Sequence, residues 1–435
     1  MYPYFVKDFA LMQHFEHVET VSGIEAWKHR KNGLQVLLYP DQTAPVVTCM
    51  MTYRVGSRNE IPGNTGATHF LEHMMFKGTE HFNKQAGTSI FNVLQRVGAM
   101  VNATTWMDRT NYYEMLPKEH LALALEIEAD RMRNARLSPE DVQSEKTVIL
   151  NEFDRGDNEP TRNLYQTLWS TAYMAHPYHH STIGWRSDIE QTTPEHLRTF
   201  YDTYYYPDNA TLSVIGDLDC EETLALVEQY FGHLPQAPHP YPEVTIREPE
   251  QRGERRVTVK KAGQLGSVMV AWKNPAGLET DNDALDVLSL ILSNGKNSRL
   301  YQALTDQSLV TSVSASNSRH RDPGLFYVFG MQAPDVKHLR IEKEIRKAIK
   351  AVQRKGVTEE EVARAKKQVR TYMAFDRDGS YSIASELNEA IAIGDWKFYV
   401  QYLDRISAVT VADVQRVARQ YLQDDVCTVG WHVAL

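Results

Sequence analysis

The sequence His69-Phe70-Leu71-Glu72-His73 brings two imidazoles and a carboxylate close together in the chain. On a helix, residues four apart lie on one face about 6 Å apart, so His69 and His73 can offer nitrogen ligands to one metal ion. Glu72 lies beside the same face and can accept a proton from a water that the metal polarises. Zinc lowers the pKa of such a water to roughly 7, which makes it a nucleophile at neutral pH. The spacing is that of the inverted zincin pattern H-x-x-E-H, and it predicts a hydrolytic zinc site.

The residues next to this motif are apolar, which argues against an ordinary surface helix carrying two histidines and an acid by chance. Burying three polar side chains in such a run costs several kcal/mol unless they are satisfied, and a metal ion satisfies them. The neighbours concerned are Phe70, Leu71, Met74, Met75 and Phe76.

A third protein ligand is needed if one zinc position is to hold water. Ser138, Pro139 and Asp141 form a helix start signal, and the predicted helix carries Glu145 and Glu152, seven residues apart. Seven residues place the two carboxylates about 10 Å apart along the axis, too far for both to bind one ion. We expect one to be a ligand and the other to support the site through a ligand or by its charge. A solvated helix face is the alternative for either acid alone.

The elements that position these residues are strands and helices without strict alternation. The residue pattern predicts strands at 34–40, 46–55 and within 102–116, and helices at 67–76, 86–98, 121–133 and from 138 onward. The fold class predicted is therefore α+β rather than a doubly wound parallel sheet.

A proline-rich stretch divides the chain into halves of about 200 residues. We expect a first domain at 1–235, a linker at 236–250 and a second domain at 251–435. The halves also look related, because Gly78 and Gly295, and Tyr204 and Tyr421, are both separated by 217 residues, and a third pair of segments aligns at 220. This pattern indicates an internal duplication, with each half a mixed or antiparallel sheet packed with helices.

HFLEHMMFKGT at residues 69–79 and EKTVILNEFDR at residues 145–155 resemble the pitrilysin-type metallopeptidases. More narrowly, the chain resembles the mitochondrial-processing-peptidase-like branch, whose subunits are single chains of this length. The resemblance covers most of the chain and implies two homologous α+β halves. It implies that His69, His73 and Glu152 hold zinc, that Glu72 is the general base, and that Glu145 supports the site without binding metal.

The resemblance also implies a place for the substrate. Asn102 and Ala103 match an edge strand beside the metal, to which a peptide could add as a further strand. Phe76 matches a position that helps to line the pocket just past the scissile bond, although it could equally be a core residue.

The second half does not repeat the metal ligands, so we expect one zinc per chain. At the offset of 217, the residues that correspond to His69, Glu72 and His73 are Asp286, Ser289 and Leu290.

Relatives that complete catalysis from the second half carry an Arg and a Tyr seven residues apart, just after a segment like SRLYQAL (residues 298–304). The matching residues here are Thr305, which has no charge, and Ser312, which is too short to replace a tyrosine. The resemblance therefore implies a heterodimer with a homologous subunit that supplies the missing Arg–Tyr pair.

The sequence thus predicts a zinc metalloendopeptidase that hydrolyses peptides or unfolded segments. One alternative is a non-catalytic assembly subunit of the same fold, and another is a zinc hydrolase with a non-peptide substrate. The net charge of −9 gives no support to nucleic-acid binding, and no apolar run is long enough to span a membrane. The compartment stays open; a soluble protein of the cytoplasm, or of the periplasm if bacterial, is expected.

Overall fold

The computed structural model describes residues 11–375 and 378–435, in which strands form two sheets. The first sheet contains β1 (Phe15–Val21), β2 (Ile24–His29), β3 (Gln35–Pro40), β4 (Val46–Tyr53), β5 (Met100–Thr105), β6 (Thr110–Pro117) and β7 (Ala210–Gly216). The second sheet contains β8 (Arg255–Lys261), β9 (Ser267–Lys273), β10 (Val310–Asn317), β11 (Leu325–Gln332) and β12 (Thr428–Ala434).

The helices of the described residues follow one another along the chain as α1 (Leu11–His14), α2 (Ala67–Met74), α3 (Ile90–Arg96), α4 (Leu121–Asn134), α5 (Pro139–Asp157), α6 (Pro160–Ala172), α7 (Arg186–Gln191), α8 (Pro194–Tyr204), α9 (Cys220–Phe231), α10 (Asp281–Ser293), α11 (His338–Lys355), α12 (Glu359–Phe375), α13 (Ser380–Ile393), α14 (Lys397–Ala408) and α15 (Val411–Tyr421). A π-helical turn, Tyr301–Thr305, precedes β10.

Both sheets are mixed and share one topology. The first has the order β1-β2-β3-β7-β4-β6-β5 and the second β10-β11-β9-β12-β8. In each sheet one pair of strands is parallel, β3 with β7 and β8 with β12, and the other pairs are antiparallel. Read from the parallel pair outward, β3-β7-β4-β6-β5 repeats as β8-β12-β9-β11-β10. The predicted α+β fold with two related halves is confirmed.

The two compact units of the structure do not follow the chain as the predicted boundaries do. Of the described residues, the first unit contains 11–151, 181–244 and 378–392, and the second contains 152–180, 245–375 and 393–435. Helix α6 from the first half of the sequence therefore belongs to the second unit, and α13 from the second half belongs to the first. The predicted domains 1–235 and 251–435 differ from these units by this pair of segments, and the predicted linker 236–250 is divided between the two units after residue 244. One unit boundary also falls inside α5, which is a single continuous helix.

The packing of α6 and α13 explains why each helix belongs to the unit that is formed mainly by the other half of the sequence. In the first unit, the buried hydroxyls of Thr48 on β4 and Ser380 on α13 hydrogen-bond at 2.8 Å, and Thr52 donates to Asn388 Oδ1 at 2.9 Å. In the second unit, α6 lies so close to β12 that a Cβ on Gly430 would stand 2.8 Å from Leu164 Cδ1.

The helix start predicted at Ser138 is present. The Asp141 backbone N–H donates to Ser138 Oγ at 3.2 Å, and the Ser138 hydroxyl donates to Asp141 Oδ2 at 2.7 Å. The helix predicted at 86–98 is shorter, because Ser89 is its N-cap and α3 begins at Ile90. Among the described residues, no helix combines the length and the apolar character that a membrane crossing requires.

Candidate metal centre

Helix α2 carries His69, Glu72 and His73 on a partly buried face. Phe70, Leu71 and Met74 are almost fully buried, so the apolar side of this short helix packs into the core of the first unit. The polar side chains are consequently held on the opposite, more accessible side.

Glu152 on α5 joins the two histidines. One ligand atom from each of His69, His73 and Glu152 lies within 4.8 Å of the others, and the two imidazole centroids are 4.7 Å apart. Two imidazole nitrogens and one carboxylate oxygen form a donor set that catalytic zinc sites use, with a fourth position left for water. The side chains present therefore fit a zinc ion. Of Glu145 and Glu152, the two acids between which spacing could not choose, Glu152 is the one in this group.

Glu145 contacts His73 but is not itself a member of the donor group. It lies 2.8 Å from His73 Nδ1 and forms an ion pair with Lys77. These partners, the His73 hydrogen bond first, lower the pKa of Glu145 to about 2, although burial opposes them. A carboxylate on Nδ1 fixes the ring orientation and favours the tautomer that leaves Nε2 for a metal. Lys77 was not singled out from the sequence, because it lies in the turn just after α2, where helix spacing does not apply.

Glu72 is oriented by the sheet. Thr105 Oγ1 donates a hydrogen bond to Glu72 Oε2 and connects α2 to the last residue of β5. Strand β5 is an edge of the first sheet and pairs with β6 alone among the described strands. Asn102, which is exposed, and Ala103, which is buried, lie on this strand. Thr105 belongs to the predicted edge-strand segment, but its contact with Glu72 depends on where the hairpin ends and has no local sequence signal.

Phe76 lies next to the donor group in sequence and packs against other aromatic side chains. Its ring stacks on Phe91 at 5.0 Å between centroids, and the Arg131 guanidinium lies 5.3 Å from its centroid. It is partly buried against the cluster of Phe82, Ile90, Leu94 and Ile127. Phe91 is 51% exposed, so the stacked pair presents an aromatic surface beside the core.

A second group of possible donors consists of His14, His29 and Glu228. His29 Nδ1 accepts the backbone N–H of Asn32 at 3.2 Å, and its Nε2 lies 2.7 Å from Glu228. The neutral ring that accepts at Nδ1 carries its proton on Nε2 and donates it to Glu228. A metal on Nε2 would require that proton to move to Nδ1, where it would oppose the buried N–H of Asn32. This group is therefore a hydrogen-bonded network.

In the second half, the residue that corresponds to His69 is engaged in ion pairs. Asp286 on α10 accepts hydrogen bonds from Arg319 at 2.6 Å and from the Tyr402 hydroxyl at 2.9 Å. Arg319 also binds Asp283, which binds Arg405 in turn. The guanidinium of Arg319 thus compensates the negative charges of Asp283 and Asp286 on this helix.

Comparison with known proteins identifies the class to which this fold and donor set belong. Residues 35–185 match the domain described as "Insulinase (Peptidase family M16)", and residues 191–369 match "Peptidase M16 inactive domain". The chain is 32% identical over 403 residues to "Zinc protease PqqE" of Helicobacter pylori, covering 91% of this chain and 89% of that protein. The chain therefore belongs to peptidase family M16.

Two further similarities extend over nearly the whole chain. A "Probable mitochondrial-processing peptidase subunit beta" of Schizosaccharomyces pombe is 28% identical over 418 residues, with 91% of this chain and 88% of that protein covered. The crystal structure of a protease from Helicobacter pylori superposes with a TM-score of 0.89 at 30% identity, covering 94% of this chain and 99% of the other.

Proposed function

We propose that this chain is a zinc-dependent endopeptidase that hydrolyses peptides or unfolded segments. The observation that carries the proposal is that ligand atoms of His69, His73 and Glu152 lie within 4.8 Å of one another. Glu145 lies 2.8 Å from the Nδ1 atom of His73. The "zinc protease" name of the Helicobacter relative supports the choice of metal. One zinc per chain is proposed, because the second half places Asp286 in an arginine network instead.

Zinc held by these three residues would act as a Lewis acid and lower the pKa of a water to about 7. Glu72 is the proposed general base, which takes a proton from the attacking water and passes it to the leaving amine. The hydroxyl of Thr105 donates to one carboxylate oxygen of Glu72 and so helps to orient the proposed base. Glu145 keeps His73 in the required tautomer and remains ionised because its pKa is about 2.

The edge strand β5 is the proposed substrate site. The Trp106 N–H donates to the Arg109 carbonyl at 2.9 Å, so the backbone of Trp106 points toward the partner strand at the end of the β5–β6 hairpin. Backbone directions alternate along a strand, and the N–H and C=O groups of Ala103 and Thr105 consequently point away from β6. An extended peptide could pair with these groups and bring its backbone beside Glu72.

The corresponding edge of the second sheet is partly closed. On β10, the Ala315 N–H donates to Ser293 Oγ of α10 at 2.8 Å. The residue that corresponds to Ser293 in the first half is Phe76, which has no side-chain oxygen to accept such a bond. This difference favours β5 as the strand to which a peptide adds.

We further propose that a homologous subunit completes the site. Thr305 ends the π-helical turn and Ser312 is exposed on β10, where neither side chain supplies a cation or a phenol. Losing one preorganised donor to the developing oxyanion typically costs about 10²–10³ in rate. Two copies of this chain would lack the same pair, so the partner must be a different chain. The tyrosine Tyr301 of this chain is the alternative donor.

The test is cleavage of an unstructured, internally quenched peptide by the purified chain, with and without a chelator. Cleavage that a chelator abolishes and zinc restores would support the endopeptidase. Zinc binding without cleavage, both alone and with a homologue encoded nearby, would instead indicate the assembly subunit. Full activity of the isolated chain with no gain on mixing would remove the two-subunit proposal and leave the zinc site intact.

A further inference from the structure

Helix α2 begins without the side-chain cap that a short helix needs. The first backbone N–H groups of a helix have no partner inside it, and a Ser, Thr, Asp or Asn at the N-cap commonly accepts one of them. The N-cap of α2 is Gly66, which has no side chain, and the helix that follows is only eight residues long. A helix of this length depends on tertiary contacts to keep its position.

Glu60 supplies those contacts from outside the helix. Its Oε2 accepts the N–H of Gly66 at 2.8 Å, and its Oε1 accepts the N–H of Thr68 at 2.8 Å. Glu60 is 4% exposed, so water does not compete for these bonds. Each carboxyl oxygen therefore holds one donor of the first turn.

A cap placed at residue 66 itself could not replace Glu60. Gly66 has a φ of +85°, and a Cβ there would stand 2.4 Å from the Ile183 carbonyl oxygen. The preceding residue is already engaged, because Thr65 donates to Asp188 through its hydroxyl at 2.7 Å and its N–H at 3.1 Å.

We infer that Glu60 is a positioning residue for the metal centre, which it serves by fixing the first turn of α2. His69 directly follows Thr68, whose N–H Glu60 holds, whereas the third donor, Glu152, is on a different helix. A shift of the first turn would move the His69 imidazole relative to Glu152, although Glu60 itself does not touch the metal. This inference rests on the proposed zinc site.

The test compares Glu60→Gln with the wild type in the full chain. Glutamine has nearly the same shape, but only one of its terminal atoms can accept an N–H, and its amide group opposes the other donor. Zinc affinity is measured by competition with a fluorescent chelator, and ligand geometry by the visible absorption of the cobalt-substituted protein. We expect zinc affinity to fall about 10–100-fold, as for other residues that orient metal ligands, with an altered cobalt spectrum.

Glu342→Gln is the matched control. Glu342 is 3% exposed and accepts hydrogen bonds from Arg256 and Trp431 in the second unit. It should lose thermal stability while keeping the wild-type zinc affinity and cobalt spectrum. A general loss of stability would affect both variants alike, which separates it from a positioning effect.

Glu60→Asp is measured alongside in case Glu60→Gln does not fold. Aspartate keeps the carboxyl group but is one methylene shorter, so reduced zinc affinity with an altered cobalt spectrum supports the inference. Wild-type affinity and spectrum in a folded variant at position 60 would overturn it. Failure of the wild type to bind zinc at all would overturn the proposed function, which is a distinguishable result.

Discussion

The substitution Glu145→Gln tests whether Glu145 binds the metal directly or orients the proposed ligand His73. Glu145 accepts a hydrogen bond from His73 Nδ1 at 2.8 Å and pairs with Lys77, and it is not among the residues that could share one ion. The variant keeps an amide oxygen for the His73 N–H but loses the charge. We therefore expect weakened zinc binding rather than its abolition.

The size of the effect follows from these contacts. A hydrogen bond to a charged group contributes about 1.5–3 kcal/mol, and about 1.4 kcal/mol corresponds to a factor of ten. Because glutamine retains a neutral hydrogen bond, Glu145→Gln should lose about tenfold in zinc affinity, at the lower end of the ~10–100-fold range for groups that orient ligands. Glu152→Gln removes a proposed direct ligand and should lose more than about 100-fold by the same range.

The assay is chelator competition for zinc at neutral pH, followed by peptide cleavage at saturating zinc. Glu145→Gln should bind zinc when enough is supplied and still turn over more slowly than the wild type. Glu140→Gln is the control, because Glu140 is an exposed acid in the first turn of the same helix. Loss of zinc by Glu145→Gln as complete as that by Glu152→Gln would refute the assignment of ligand and supporting residue.

Three further outcomes are expected. Glu72→Gln should retain zinc, measured by elemental analysis, but lose cleavage, because an amide cannot accept the proton; residual activity near wild type would remove Glu72 as the base. Ala103→Pro should raise KM up to about tenfold with little change in fold, since proline is tolerated where a strand N–H faces outward but removes one donor to the peptide; an unchanged KM would point to another substrate site. Burial raises the pKa of Glu248, but the N–H groups of Ala175, Met174 and His176 and the Lys273 ammonium together lower it to about 2. A lowered folded-state pKa stabilises the protein above the unfolded value of 4.5, and this contribution is lost as pH falls through 4.5 toward 2. The urea stability gap between wild type and Glu248→Gln should therefore be largest near pH 7 and narrow below pH 4.5, and a gap independent of pH would contradict this.

The part of the candidate site that local geometry determines could be predicted from the sequence. The spacing of His69 and His73 fixes their common helix face, and the seven-residue spacing of Glu145 and Glu152 allows only one of them to join the histidines. In the structure Glu152 joins them. The α+β class and the duplicated topology also follow from local patterns and from the repeat.

The remaining features depend on distant parts of the chain. The apolar face of α6 indicates that it must pack on a sheet, but either sheet offers an apolar surface, so periodicity cannot choose between them. Glu60 and Thr105 contact α2 through side chains whose partners are set by loop and hairpin geometry. A glutamate in a loop and a threonine in a strand are both ordinary, and no sequence spacing connects Glu60 or Thr105 to α2.

The exchange of α6 and α13 bears on how such a chain could arise and how it could be divided. A cut within residues 236–250 would leave each fragment with a helix that packs on the sheet of the other fragment. Neither fragment alone would bury its own core completely, and the two would recover the native packing only by complementation. Two half-length chains that swapped this helix would form a closed symmetric dimer, and fusion of their genes would give the present connectivity directly.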